Sequence, residues 1–489
     1  MRVYVVDKVL FACYDNNDEQ TFTLGETEEE LMRQHPWSML LGDRAFYRQM
    51  FSIAVPVALQ QLITVGINLM DTMMLSHMGD AQLSAASLAG QFVNVFHICT
   101  MGIGMGASVL TARYWGMRDL RSLRKTVTIM LRFCLAFAAL FMAVTALAPQ
   151  TVMRMYTPDE EIILHGSSYL AYMIPCFLCM GLSTACTIVL RTVRQVRVPL
   201  ICSILAFFVN VFFNWVFIFG HLGAPRMEIA GAALGTLIAR VFEALFICGY
   251  FFARDQRIGY RMRHLWMKCG DLAPEYIRTA IPVLVSDSLL AVGNNAVAMV
   301  MGRIGRTFVA ANSVTSIVQQ LSSVLIQGIC HASGIITGNT MGEGDFAKAQ
   351  RQGYAFLGIG CVLGVLSALV IFAVKAPLIN FYQVSEETRL VAMELMDAIC
   401  LIVIFQSMNS ILTKGVLRAG GDTRFLMAGD ILFLWVASIP LGILAGLVFH
   451  WSSFWIYLML KIDQIIKCIW CIFRLCSGKW MKQLAKASL

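Results

Sequence analysis

The chain is expected to fold as an all-α polytopic membrane protein, with twelve transmembrane helices in two six-helix lobes related by a pseudo-twofold axis along the membrane normal. Three observations lead there: charge is scarce, charge-free runs of span length recur along the chain, and the second half repeats the first. Only 14% of the 489 residues are charged and 58% are apolar, whereas soluble domains sit near about 25% and 45–50%. The net charge of +8 would interest a nucleic acid only if the cations formed a patch on a wet surface. Here they punctuate the apolar runs, so the expected surroundings are a lipid bilayer and no nucleic acid.

A helix needs about 20 apolar residues to cross the hydrocarbon core, and the runs can be read off in order. The first half holds 49–70 (closed by Asp71), 81–112, 133–153, 162–190, 198–225 and 229–253, the last interrupted by Arg240 and Glu243. The second half holds 279–302 with Asp287 inside it, 307–342, 352–374, 390–413, 425–449 and 451–473. Residues 1–40 carry seven acids between Asp15 and Glu30 and read as a loosely ordered N-terminal tail. The organisation expected is therefore that tail, an N-lobe at 41–253, a cytoplasmic linker at 254–275, a C-lobe at 276–475 and a cytoplasmic tail at 476–489.

Basic residues set orientation, because loops rich in Lys and Arg stay in the cytoplasm. Loops after even-numbered spans hold 18 of them and loops after odd-numbered spans hold 6. Both termini are thus expected in the cytoplasm, in a multi-pass protein of a bacterial inner membrane.

The repeat emerges when the chain is slid against itself. At an offset of 226 residues Pro56 meets Pro282, Asn68 meets Asn294, Gly79 meets Gly305, Gly102 meets Gly328, Gly116 meets Gly342 and Asp119 meets Asp345; 13 of the 66 pairs from Ala54 to Asp119 are identical. At an offset of 227, Val189-Leu190-Arg191 meets Val416-Leu417-Arg418. Six spans per copy is an even number, so the copies share one orientation.

The fifteen cysteines fall mostly singly in apolar runs, where each acts as a small hydrophobe. The pairs at Cys176/Cys179 and Cys468/Cys471 lack a second half-site, no His-x-x-x-His pair occurs, and no metal site is readable. Gly102-x-Gly-x-Gly106 lies inside an apolar helix with no preceding strand, which points to close helix packing rather than a nucleotide loop.

Intramembrane carboxylates are expensive and mark function by default. Asp71 ends the first span and Asp287 stands five residues after Pro282, with no cation within a helical turn of its own helix. Arg240 and Glu243 share a helix face three residues apart and read as a structural ion pair. Asn210 and Asn214 lie four apart on one face of the fifth span; their amides suit a small cation or a proton-linked network, or hydrogen bonding between helices. Asn68, its repeat mate Asn294, Asn409 and Asp287 are candidates for lining a substrate cavity. Asp430, Asp397 and Asp463 lie nearer span ends or beside lysines and rank below these.

Twelve spans in two parallel halves, with Pro56…Asn68-x-x-Asp71-Thr72…Gly79 early and Val416-Leu417-Arg418-Ala419-Gly420-Gly421-Asp422-Thr423 late, resemble the multidrug and toxic compound extrusion (MATE) transporters over residues 40–475. The resemblance implies export of organic cations, drugs or toxins by alternating access, in exchange for H⁺ or Na⁺, with no ATP, no cofactor and no enzymatic activity, by a protein expected to act as a monomer. In that family the N-lobe ion site uses an aspartate on span one, an asparagine and an aspartate four apart on span five, and a threonine on span six. Residue by residue these become Asp71, Asn210, Asn214 and Thr236, so Na⁺ or H⁺ would bind at Asp71, and the second carboxylate of span five is an amide here. The sodium-coupled branch adds a glutamate on span seven and an aspartate on span ten. Asp287 lies a turn before the first of these positions, and Asn409 stands at the second.

Two other classes are weaker. A flippase for lipid-linked precursors, from the same superfamily, would want a cationic cavity, and the deep Arg240 has Glu243 to neutralise it. A membrane-embedded hydrolase would need a His-Glu-x-x-His helix or facing aspartates, and neither is present.

Overall fold

The computed structural model describes residues 42–75, 80–381 and 385–482, and their regular structure is entirely helical. The expected tail at 1–40, Gly79 and residues 483–489 of the expected C-terminal tail lie outside the described residues. The spans of the first repeat are α1 (Arg44–Leu75), α2 (Asp80–Gly116), α3 (Leu120–Leu147), α4 (Glu160–Thr192), α5 (Arg197–Phe219) and α6 (Glu228–Gly249). Those of the second are α7 (Ala273–Ile304), α8 (Arg306–Gly342), α9 (Phe346–Phe381), α10 (Glu386–Ser410, continued through π-helical turns at Ile411–Leu417) and α11 (Thr423–Ile431). α11 runs on through π-helical segments to Val448. Eleven of these helical stretches are long and apolar enough to cross a membrane.

The twelfth apolar run forms two shorter helices, α12 (Ser453–Leu460) and α13 (Ile462–Cys476), meeting at Lys461. The break has a local cause. The backbone N–H of Asp463, an orphan donor at a helix start, donates to Ser438 Oγ at 2.9 Å.

The repeat is visible in the turns. Asp119 caps α3 by accepting from the N–H groups of Arg121 and Ser122 at 3.1 and 3.0 Å, and its mate Asp345 accepts from the N–H of Lys348 at 2.9 Å. The residue before each cap is left-handed, Arg118 at φ 60° and Gly344 at φ 83°. A second pair of left-handed turns falls at Arg194 and Gly421, at the 227-residue offset. The second repeat uses glycine where the first strains an arginine.

Two compact units divide within α1 and α7 rather than at the linker. One comprises residues 59–284, and the other residues 42–58 with 285–482. The N- and C-lobe boundaries expected at 253 and 276 therefore differ from these units by the first part of α1 and the first part of α7. Both changeovers follow a proline two residues upstream, Pro56 and Pro282, where a missing N–H and a ring clash weaken the helix.

In the 59–284 unit, Gly102 and Gly106 of α2 receive Leu284 and Ala280 of α7, and a Cβ on Gly106 would come within 2.5 Å of the Ala280 backbone. In the other unit Gly328 of α8 receives Ala54 and Ala58 of α1, with a Cβ 2.6 Å from the Ala54 carbonyl. These glycines serve close helix packing. Phe96, Phe137, Phe141 and Phe177 pack with ring centroids 5.1–6.1 Å apart in the core of the 59–284 unit. The core of its counterpart gathers α10 residues such as Leu395, Ile399 and Val403 with Val297 and Tyr457.

The linker is bound to the 59–284 unit by its own hydrogen bonds. Arg124 Nε donates to Ile258 O at 2.8 Å, Arg132 Nη2 to Leu265 O at 2.6 Å and Met267 O at 2.8 Å, and the buried Asp255 accepts from Gln195 Nε2 at 2.8 Å. Residues 477–482 close the second unit in a corresponding way. Trp480 is fully buried and donates to Gln350 at 2.8 Å, and Lys482 reaches the buried Asp422 at 2.5 Å. Gln195 and Asp422, and likewise Asp255 and Lys482, are 227 residues apart, so one contact persists in both repeats with altered chemistry.

Candidate ion and substrate sites

The α1 run places Asp71 one turn from the end of its helix, half-buried. Its Oδ1 accepts from Asn214 Nδ2 at 2.6 Å, and the same amide group donates to Asn210 Oδ1 at 3.4 Å. The four-residue spacing on α5 puts both amides on one face. Gly235 of α6 packs directly on Asn214, where a Cβ would collide with its amide oxygen, so the amide is held against α1. No Lys or Arg nitrogen lies within 4 Å of Asp71 among the described residues, and Asn214 Oδ1 is buried without a donor. The group thus has more acceptors than donors, the composition that takes up a proton or a small hard cation. Thr236, next to Gly235 and half-buried, makes no hydrogen bond to Asp71 or Asn214.

Arg240 Nη1 pairs with Glu243 Oε2 at 2.7 Å, with the two side chains 34% and 19% exposed. The pair closes along α6, and no nitrogen of Arg240 comes within 4 Å of Asp71.

The expected cavity residues do not form one group. Asp287 is not the free carboxylate its own helix suggests: Arg418, 131 residues on, holds it from two nitrogens at 3.0 and 3.2 Å. In the first repeat Arg191, the counterpart of Arg418 at an offset of 227, meets Gln60, the residue before Gln61, which is the mate of Asp287 at the 226-residue offset of these two helices. Asn68 is exposed. Asn294 is exposed and accepts from Lys461 Nζ at 3.3 Å. Asn409 is buried and donates to Gln464 at 2.8 Å.

Residues ranked low from sequence turn out to be central to the second unit. Lys467 lies 2.7 Å from Asp430 and 3.7 Å from Asp463, all three side chains being 2–6% exposed. Ser286 donates to Asp430, Ser438 to Asp463 at 3.0 Å and Gln464 to Asp463 at 2.6 Å. The available signal was the repeat: at an offset of 227, Lys467 is the counterpart of Arg240 and Asp463 of Thr236. No group of three or more His, Cys, Asp or Glu side chains placed to hold a metal ion occurs among the described residues.

A family model described as MatE matches residues 56–216 and 282–444, one match to each repeat. Among curated proteins, the chain is similar to the "Probable multidrug resistance protein NorM" of Agrobacterium fabrum, 23% identical across 80% of this chain and 85% of that one. The protein of the same name from Thermotoga maritima is 22% identical across 89% and 93%. Among solved structures, a MATE protein in a straight conformation superposes with a TM-score of 0.80 at 17% identity, over 90% of this chain and 98% of that chain. A match to both halves, together with the twelve-span helical fold, makes this chain a membrane transporter that belongs to the MATE family.

Proposed function

We propose that the protein is an antiporter that exports organic cations, drugs or toxins from a bacterial cell by alternating access, driven by H⁺ or Na⁺ entering through the Asp71 group. The observation that carries this reading is a membrane carboxylate that meets only amides. Asp71 has Asn214 at 2.6 Å and no salt-bridge partner among the described residues, beside a buried amide oxygen that has no donor among them. With a cation bound, the carboxylate is neutral and the surrounding helices can close on a less polar interior; release to the cytoplasm restores the charge. One charge moved through 100 mV supplies about 2.3 kcal/mol. The names of the relatives in Agrobacterium fabrum and Thermotoga maritima support the drug-export part of the reading.

In this reading the protein works as a monomer in the inner membrane, with both termini and the 254–275 linker cytoplasmic, following the 18-to-6 distribution of basic residues. It exports without catalysing a reaction. The flippase alternative has less support, because Arg240, Arg418 and Lys467 each have a carboxylate partner. Inverted vesicles loaded by a fluorescent organic cation, under a pH gradient and separately a Na⁺ gradient, test the proposal. Transport is expected under at least one gradient, and none under either would refute it. Thiol labelling of cysteines introduced at Gln256 and at Ala224 checks the orientation.

A further inference from the structure

Lys467 has an arrangement its repeat counterpart lacks. Arg240 turns along its own helix to Glu243, but the residue three places after Lys467 is Trp470, so the ammonium has no such partner. It reaches instead to Asp430 at the end of α11, at 2.7 Å, and to Asp463 on its own helix, at 3.7 Å. The remaining acceptor capacity of these carboxylates is occupied by two serine hydroxyls and an amide: Ser286 on Asp430, Ser438 and Gln464 on Asp463. Gln464 continues to Asn409, whose own Oδ1 is buried with no donor. The neighbouring charges are already committed, Arg418 to Asp287 and Lys461 to Asn294. Two buried carboxylates around one small cation, each also bonded to a serine hydroxyl, are the hard-oxygen donors of a monovalent-cation site, and its occupant is covalently attached.

We infer that Asp430 and Asp463, with Ser286 and Ser438, form a monovalent-cation site that the Lys467 ammonium fills permanently, and that removing the ammonium opens this site to Na⁺ or to a small primary ammonium ion. The second unit of the native chain then exchanges no ion with water. This last consequence rests on the proposed function, since it leaves Asp71 as the exchanging group. The site itself does not.

The test uses the full-length transporter in detergent, all variants carrying Asp71→Asn so that the α1 group contributes nothing. Thermal melting is followed in choline chloride and in the same ionic strength of sodium chloride or methylammonium chloride. With Lys467 present, the midpoint should be the same in all three salts. Lys467→Ala should melt lower in choline and recover with a saturable rise in Na⁺ or methylammonium, as expected when a ligand binds only the folded state. Adding Asp430→Asn to Lys467→Ala should abolish that rise. A folded, monodisperse Lys467→Ala protein that melts alike in all three salts would overturn the inference. If Lys467→Ala cannot be extracted folded, Lys467→Met keeps the stem volume and removes only the charge. Recovery of either variant by extraction in methylammonium supports the site, and failure of both in every cation overturns it. Gradient-driven efflux plays no part in this readout, so loss of the antiport reading would leave the result standing.

Discussion

Positions 240 and 467 carry a cation in each repeat, and the two cations do opposite things. Arg240 spends its charge on Glu243, one helical turn away, and the nearby α1 carboxylate, Asp71, keeps only amide partners. Lys467 spends its charge across helices, on Asp430 and Asp463. Asp287, another carboxylate of the second unit facing a helix neighbour, is taken by Arg418. The counterpart of Asp71 is Val297, buried in the apolar core. After duplication, then, one copy kept an acidic group without a tethered partner, whereas in the other Asp287 faces Arg418, and Asp430 and Asp463 share Lys467. A group that must gain and lose a cation has to lack a permanent one, and of the two groups the one at Asp71 meets that condition, as the proposed antiport requires.

The comparison predicts effects of decreasing size. Asp71→Asn should reduce gradient-driven efflux of a fluorescent organic cation to background while the protein still reaches the membrane. Near wild-type efflux under both H⁺ and Na⁺ gradients would place coupling elsewhere. Arg418→Ala leaves the half-buried Asp287 without its cation, a smaller loss than the roughly 3–5 kcal/mol of a fully buried pair in soluble proteins, and should lower the melting midpoint in detergent. Asp287→Gln, by contrast, recreates the Gln60 contact of the first repeat. It should retain efflux and most of the stability, and loss of efflux with a normal midpoint would restore Asp287 to a transport role. Arg240→Ala and Glu243→Ala should each destabilise more than the double variant does; a double variant no better than the worse single one would argue against their pairing. The smallest effect is expected for Asp119→Ala, about 1 kcal/mol from loss of a helix cap, with efflux unchanged per folded molecule.

What could be read from sequence follows from range. Span positions, the repeat and the capping aspartates Asp119 and Asp345 depend on residues close in the chain or on a fixed offset. The amide pair at Asn210 and Asn214 was visible because four residues make one turn, and its union with Asp71 came from the family resemblance. The Asp287–Arg418 pair joins helices 131 residues apart, and no periodicity on either helix reports it. Asp430 and Asp463 ranked low because the first meets Lys467 only across helices, 37 residues apart in the chain, and the second meets Ser438 from another span. The break at Lys461 depends on a hydroxyl from Ser438, and the division of α1 and α7 between units depends on which neighbours their first turns meet, which hydropathy does not encode.

The closing segment at 477–482 has its match in the linker. In the first repeat, Asp255 of the linker meets Gln195; in the second, Lys482 meets Asp422 at the matching place. The segment that bridges the halves and the segment that follows the last helix thus fold back on their own repeats at matching places. For protein engineering, a cut between Trp480 and its helix would strip a structural element, so a reporter fusion or truncation that keeps the fold belongs after Lys482.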